Sequence, residues 1–179
     1  PLVMLFLLVF AAACSNNGSS NNTENGTNGG KTEEASDSSS SEKDIKGDLL
    51  DFQLNLIQTV NKNDSPIYAF EAAKVAEEKP SDEELATMKS DAEEAAKTVA
   101  EDVRGIEVPS ELDQYKSDIE TALEDLAKSY ETRAANLSDD PDAMYEESDA
   151  QFTSFEEKMG TVYKDAGLTK PSFAADLKE

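Results

Sequence analysis

The residues of this chain that could do chemistry are few in kind. Its 179 residues include 39 Asp and Glu but no His, and Cys14 is the one cysteine. Without an imidazole the chain cannot form a Ser-His-Asp or Cys-His catalytic group or a His-ligated zinc or haem site, and one cysteine cannot form an internal disulfide. The remaining candidates are carboxylates, which can bind calcium or act as paired acids in glycoside hydrolysis.

The densest group of carboxylates follows residue 138. It comprises Asp139, Asp140, Asp142, Glu146, Glu147 and Asp149. The run lacks the alternating Asp/Asn pattern and the central Gly of an EF-hand loop. Acids also suit the first turn of a helix, where they oppose the helix dipole, and Asp140 is placed to cap one. We therefore interpret the run as a helix start and expect no metal and no cofactor.

Paired carboxylates for sugar hydrolysis need one acid in an apolar environment and a second acid across a cleft. No acid of this chain interrupts an apolar stripe, so we expect no catalytic residue and no enzyme. The aromatic residues fall on apolar helix faces, where packing explains them better than a stacking platform does. They are Phe52, Tyr115, Tyr130, Phe152 and Phe155.

The net charge of the chain is −23. Residues 43–179 carry 15 basic and 34 acidic side chains, which makes −19 for this part alone. Such a surface repels phosphates, so we expect no nucleic-acid partner. It also repels anionic lipid headgroups.

Residues 1–13 are almost wholly apolar and end in Ala11-Ala12-Ala13. As a helix they would span about 20 Å, which is less than the bilayer core of about 30 Å. The stretch has the length of a signal-peptide h-region with its cleavage region. Because a basic n-region and a start Met are missing before Pro1, we expect the sequence to be truncated at its N-terminus.

The run Ala11-Ala12-Ala13-Cys14 resembles the lipobox of bacterial lipoproteins, with Ala11 where that family most often has Leu. The resemblance implies that Cys14 carries diacylglycerol and becomes the new N-terminus. Two acyl chains are what stable anchoring requires. The expected location is the extracytoplasmic face of the cell membrane, with Cys14 as the lipidation site.

Residues 14–42 are expected to form a disordered tether. Of these 29 residues, 21 are Ser, Asn, Gly or Thr, and none has a large apolar side chain that could be buried. A flexible chain of this length reaches about 30 Å. The segment looks like the spacers of Gram-positive surface lipoproteins.

Residues 43–179 are predicted to form an all-α domain. Apolar residues recur at three-and-four spacing in four long segments, which are residues 43–61, Ser81 to Gly105, Ser110 to Leu137, and Asp140-Pro141 to Gly167. A shorter helix has Ser65 as its cap and Pro66 at its first position, shows an apolar face through Val75, and ends near Lys79-Pro80. Four long helices and one short helix predict an antiparallel up-and-down bundle.

Particular residues support these boundaries. Ser81 and Glu84 have the spacing of a capping box, and Gly105 and Gly167 are placed to end helices. In the first helix, Leu50, Leu54 and Ile57 widen the stripe. We therefore expect that helix to be the most buried and to contact neighbours on two sides.

In architecture the domain resembles the small uncharacterised helical lipoproteins of Gram-positive bacteria. This resemblance indicates a non-enzymatic interaction or accessory module that contacts a protein of the cell envelope through a helix face, anchored by the lipid on Cys14. The alternative is a lipoprotein that holds a small cationic or apolar ligand between its helices, which predicts a cavity. A third possibility is a coiled-coil oligomer formed through the wide stripe of the first helix.

Overall fold

The computed structural model describes the backbone of residues 38–177 and the side chains of residues 44–177. The apolar segment, the lipobox with Cys14 and most of the predicted tether lie outside these residues. Within them the secondary structure is entirely helical, which confirms the predicted all-α class. The elements are α1 (Ser38–Asn61), α2 (Ser65–Val75), α3 (Asp82–Arg104), a 3₁₀ helix (Ser110–Tyr115), α4 (Lys116–Asn136), α5 (Glu146–Asp165) and α6 (Phe173–Asp176). Four of them are long and α2 is short, as predicted.

Two helix ends have the local chemistry that their residues predict. At the start of α3, Ser81 Oγ accepts the Glu84 backbone N–H, and Glu84 Oε2 accepts the Ser81 backbone N–H, so the capping box is complete. At the end of α5, Gly167 has φ +71°, which is a left-handed conformation that favours glycine. The Gly167 N–H donates to the Lys164 carbonyl and the Leu168 N–H to the Tyr163 carbonyl, which completes a Schellman motif.

Two helix starts differ from the prediction. Ser110 begins a 3₁₀ helix, and α-helical geometry follows only from Lys116. Asp140 caps no helix, because α5 starts at Glu146. Instead Asp140 Oδ1 accepts the Asp142 N–H at 2.9 Å, and its carbonyl accepts the Ala143 N–H at 3.2 Å. These local hydrogen bonds hold a turn and compete with the helix that the acids were expected to start.

The short helix α2 also differs at both ends. Ser65 is its first helical residue, and Asp64 occupies the cap position. The helix stops at Val75, before the predicted end near Lys79-Pro80. Ala76 already has an extended backbone, with φ −64° and ψ 146°, and Val75 itself is exposed where an apolar face was expected.

Helix α1 contacts α3 and also α5 and the C-terminal residues, but its buried stripe is narrower than predicted: Ile57 packs against the core, whereas Leu50 and Leu54 do not. Leu49, Leu56 and their neighbours in that stripe are buried, whereas Leu50 and Leu54 are 52% and 54% exposed. The buried side packs against α3 and the 3₁₀ helix. Helix α1 also starts at Ser38, before the composition change at residue 43.

The long helices pack in an antiparallel arrangement. Asp125, in the first half of α4, pairs with Lys158 in the second half of α5, and Arg133, near the end of α4, pairs with Asp149 near the start of α5. The two helices are therefore antiparallel. Arg104 at the end of α3 donates to two glutamates of α4, which joins that pair of helices. α1 and α2 together pack along α3. Asn63, between α1 and α2, donates to Asp102 near the end of α3, and Phe70 of α2 packs on Ala92 in the first half of α3. The large core cluster fills the space between these helices.

The last described residues, 168–177, return along the bundle, and we refer to them as the C-terminal segment. Phe173 and Leu177 are buried, and the Phe173 ring lies 4.8 Å from the Phe155 ring, centroid to centroid. The Tyr68 hydroxyl donates to the Leu177 carbonyl at 2.5 Å, and the Asn61 amide donates to the Asp176 carbonyl at 3.1 Å. The segment therefore joins α1, α2 and α5.

Candidate functional site

A cavity of about 390 Å³ lies between the second half of α4 and the first half of α5. The start of α2 and the C-terminal segment close its other sides. Its volume falls within the range of small-molecule sites in proteins. Its lining combines aliphatic and aromatic side chains with a few polar groups: Ile67, Tyr68, Ser129, Tyr130, Arg133, Ser148, Asp149, Phe152, Thr153, Glu156, Ala174 and Leu177.

Two tyrosines form the polar part of one wall. Tyr130 belongs to the predicted apolar stripe of α4 and is buried. Tyr68 lies one residue after the buried Ile67 of α2. Burial raises the pKa of both hydroxyls, and the negative charge of Asp64 raises the pKa of each further. Both tyrosines are therefore neutral hydrogen-bonding groups at physiological pH.

Arg133 occupies one end of the cavity. Its Nε donates to Ser148 Oγ at 3.3 Å and its Nη2 to Asp149 Oδ1 at 2.6 Å. The guanidinium carbon lies 4.1 Å from the centroid of the Tyr145 ring, so the planar group stacks on an aromatic face. These contacts hold the guanidinium in one orientation.

Glu156 occupies the other end, further along α5. Its Oε1 accepts the Ala174 backbone N–H at 3.1 Å, which attaches the C-terminal segment to α5. Phe152 and Thr153 lie between the two charged ends on the same side of α5. The cavity thus has an arginine at one end, a glutamate at the other and apolar walls between them.

A buried carboxyl group lies behind the tyrosines. Asp64, at the junction of α1 and α2, is only 2% exposed, and its Oδ2 has no hydrogen-bond partner among the described residues. Burial raises its pKa from 3.8 to about 6. The group is close enough to influence Tyr68 and Tyr130, and near neutral pH its charge is poorly compensated.

The turn before α5 is held by a buried lysine. Lys74 of α2 pairs with Glu71 at 2.7 Å and donates to the Asp140 carbonyl and to the Tyr145 hydroxyl. Tyr145 is the ring on which Arg133 stacks. Lys74 therefore positions one end of the cavity without lining it.

A second concavity, of about 790 Å³, is an open surface groove between α1 and the end of α3. Its charged lining is acidic apart from one lysine: Asp48, Asp51, Lys62, Glu101, Asp102 and Glu107. It is a solvated acidic surface and not an enclosed site.

The acidic run after residue 138 does not come together as one group. Asp149 pairs with Arg133, Asp139 lies 3.8 Å from Lys89, and Asp140 serves the turn described above. Within residues 44–177, no group of three or more Asp, Glu or Cys side chains is arranged to hold a metal ion.

The aromatic residues have two roles. Phe52 and Phe155 are buried in the core, and Tyr115 packs against it, as their helix faces predict. Tyr130 and Phe152 also line the cavity, which packing alone did not predict.

Sequence reasoning missed most of the cavity. It did not identify Tyr68, Arg133 or Glu156, which come from three different parts of the chain, or the buried Asp64 behind the tyrosines. The one signal in the sequence is that Arg133 is one of only two arginines in a strongly acidic chain. The predicted lipidation site, Cys14, lies outside the described residues.

Comparisons with known proteins add no assignment. No protein-family model, curated protein or solved structure matches the chain. Among the helices of residues 38–177, none combines the length and the apolar character needed to cross a bilayer.

Proposed function

We propose that this protein is a bacterial lipoprotein, anchored by a lipid on Cys14 at the extracytoplasmic face of the cell membrane, whose helical bundle binds a small, partly apolar ligand. The cavity between α4 and α5 is the observation that carries the binding function. A pocket with apolar walls and a few convergent polar groups is the usual form of a small-molecule site.

The cavity suits binding rather than catalysis. It offers hydrogen-bonding hydroxyls, a fixed guanidinium and aromatic faces. The chain has no imidazole to activate a hydroxyl nucleophile, and its one thiol is the proposed lipid site. We therefore propose a protein that holds its ligand unchanged.

The ligand site can be tested with a blocking substitution on α5. Thr153 lines the cavity, whereas Thr161 is exposed on the same helix outside it, and each hydroxyl donates to the carbonyl four residues earlier. Thr153→Trp fills the mouth of the cavity, and Thr161→Trp is its matched control.

We expect small amphipathic compounds to raise the thermal midpoint of the wild type and of Thr161→Trp, but not of Thr153→Trp, because only a ligand bound to the folded state stabilises it. Shifts that are the same in all three proteins, or no shift with any compound, would contradict the proposed ligand site.

The proposed anchor rests on the residues around Cys14 and has its own test. Mass spectrometry of the N-terminal peptide from a bacterial membrane fraction should show a diacylglycerol on Cys14. Cys14→Ser should move the protein into the soluble fraction. A wild-type protein that is unmodified and equally soluble would refute the anchor.

A second candidate function is interaction with an envelope protein, and the exposed side of α1 favours it. Leu50 and Leu54 are four residues apart and therefore lie on one face of the helix, each more than half exposed. A helix face of this kind is a common site of protein contact.

In-cell crosslinking compares the wild type with Leu50→Glu/Leu54→Glu, and Met144→Glu is the control because Met144 is exposed elsewhere. A partner captured by the wild type and the control but lost with the double variant would support this function. Sedimentation of the purified protein separates a foreign partner from a second copy of the chain.

A further inference from the structure

We propose that the ligand of the α4–α5 cavity is a linear zwitterion, with its anionic end on Arg133 and its cationic end near Glu156. The inference rests on the proposed function and adds the chemical class of the ligand. It follows from three features of the cavity: the separation of the two charges, the unused donors of the arginine, and the apolar walls between them.

The separation follows from helix geometry. Arg133 contacts Ser148 and Asp149 at the start of α5, and Glu156 follows these residues by seven or eight positions. At 1.5 Å per residue, this places the two ends about 10–12 Å apart along the helix. Seven residues are close to two full turns, so both ends lie on the side of α5 that faces the cavity.

Arg133 has donors left for a ligand. A guanidinium carries five N–H groups. The Nε and one Nη2 hydrogen are used by Ser148 and Asp149, and no described residue accepts from Nη1. The remaining edge, formed by Nη1 and Nη2, has the geometry that binds a carboxylate through two parallel hydrogen bonds.

The pairing with Asp149 does not prevent this. The Asp149 side chain is 64% exposed, so water screens its charge. The guanidinium also stacks on Tyr145, which favours a fixed orientation before a ligand arrives. A ligand carboxylate can therefore bind to an arginine that is already positioned.

Glu156 provides the opposite end. Its Oε1 accepts one N–H, from Ala174, and an ionised carboxylate can accept about four hydrogen bonds in total. A ligand ammonium can donate to the sites that remain. Between the ends, Ile67, Phe152 and Leu177 supply apolar contacts for the middle of the ligand.

Two kinds of molecule share this chemistry. A peptide of about three residues spans about 10 Å from its amino to its carboxyl group when extended. An ω-amino acid with a straight alkyl chain can place its charges at the same distance. The inference concerns the zwitterion, and the experiment distinguishes these two sources.

The experiment is calorimetric titration of the full chain with trialanine and with 8-aminooctanoate. N-acetyl-trialanine and octanoate lack the cationic end, and trialanine amide and octylamine lack the anionic end. We expect at least one zwitterion to bind, and each removed charge to weaken its binding about tenfold or more. Trialanine alone would indicate a peptide, and 8-aminooctanoate alone an alkyl amino acid.

Two variants locate the ends. With Arg133→Gln, the zwitterion and its analogue without the carboxylate should bind equally. With Glu156→Gln, the zwitterion and its analogue without the amine should bind equally. Glu157→Gln is the control for the second variant, because Glu157 is the next residue on α5 and does not line the cavity. The comparison of charged and capped probes on the wild type remains valid if a variant fails to fold.

The outcomes separate this inference from the proposed function. If zwitterions and their capped forms bind the wild type with equal affinity, the zwitterion is refuted and the ligand site stands. The same conclusion follows if zwitterions do not bind while other compounds raise the thermal midpoint and Thr153→Trp abolishes that shift. If no compound of either set binds, both are refuted.

Discussion

Asp64→Asn should stabilise the protein at neutral pH. The carboxyl of Asp64 is 2% exposed, Oδ2 has no partner among the described residues, and burial raises its pKa from 3.8 to about 6. Between pH 3.8 and 6 the folded state therefore keeps a proton that the unfolded chain releases, and above pH 6 the folded state holds a buried negative charge. Asparagine keeps the shape of the side chain and removes the charge.

The size of the effect follows from the pKa shift. Below pH 3.8 the group is protonated in both states and has no effect. Between pH 3.8 and 6 the unfolded state ionises first, so folding becomes progressively less favourable, and above pH 6 the cost is constant. A shift of this size corresponds to about 3 kcal/mol at pH 7, and to about half of that at pH 5.

A competing effect has the opposite sign but is smaller. Asp64 holds the cap position of α2, where a negative charge is favourable by about 0.3–1 kcal/mol. Its side chain makes no capping hydrogen bond, so the substitution loses none. The burial cost is therefore expected to dominate.

The assay is urea unfolding of wild type and Asp64→Asn at several pH values from 5 to 7. Taking the difference between the two proteins cancels other groups, including Glu124 and Asp125, whose pKa values are lowered by Arg104 and by Lys158. Asp51→Asn, at an exposed position of α1, should change the free energy of unfolding by less than about 0.5 kcal/mol. A gain that does not depend on pH, or a loss of stability at pH 7, would refute the reasoning.

Three further substitutions test the packing of the bundle. Gly167→Ala should lower the free energy of unfolding by about 1–2 kcal/mol, because alanine is strained at φ +71°. Thermal unfolding would measure this loss. Lys74→Met should lower the free energy of unfolding by roughly 3 kcal/mol, because it leaves the Glu71 carboxylate without its partner. Urea unfolding would measure this loss, and an unchanged midpoint would contradict it. Tyr163→Phe removes the hydroxyl that donates to the Leu49 carbonyl at 2.8 Å, and should lower the thermal midpoint by about 3–4 °C for a loss of about 1 kcal/mol. A midpoint equal to that of the wild type would show that this hydrogen bond contributes nothing.

Local signals in the sequence predicted the helices well. The capping box at Ser81 and the left-handed end at Gly167 depend only on neighbouring residues, and both are present. The predicted start of α5 was wrong because Asp140 can either cap a helix or close a turn. The buried Lys74, which binds the Asp140 carbonyl in the turn, is far away in sequence and so gives no local signal. Leu50 was misjudged because apolar spacing shows that a face can be buried, and does not show whether a neighbour covers it.

The candidate site was less accessible to such reasoning. Tyr68, Arg133 and Glu156 come from three helices, and nothing in their local sequence indicates that they share a cavity. Their convergence depends on the antiparallel alignment of α4 with α5 and on the path of the C-terminal segment. That segment was not predicted, since a helix of four residues has no periodicity to detect.

The C-terminal segment has a consequence for how the cavity forms. Because Ala174 and Leu177 are part of its wall, the cavity is complete only when the C-terminal segment, residues 168–177, is docked on the bundle. If the segment detaches for a fraction of the time, the measured affinity is reduced by that fraction, and ligand binding in turn favours the docked state. A purification tag attached after residue 179 would follow the wall residue Leu177 by only two residues, so affinity measurements are better made with such a tag removed.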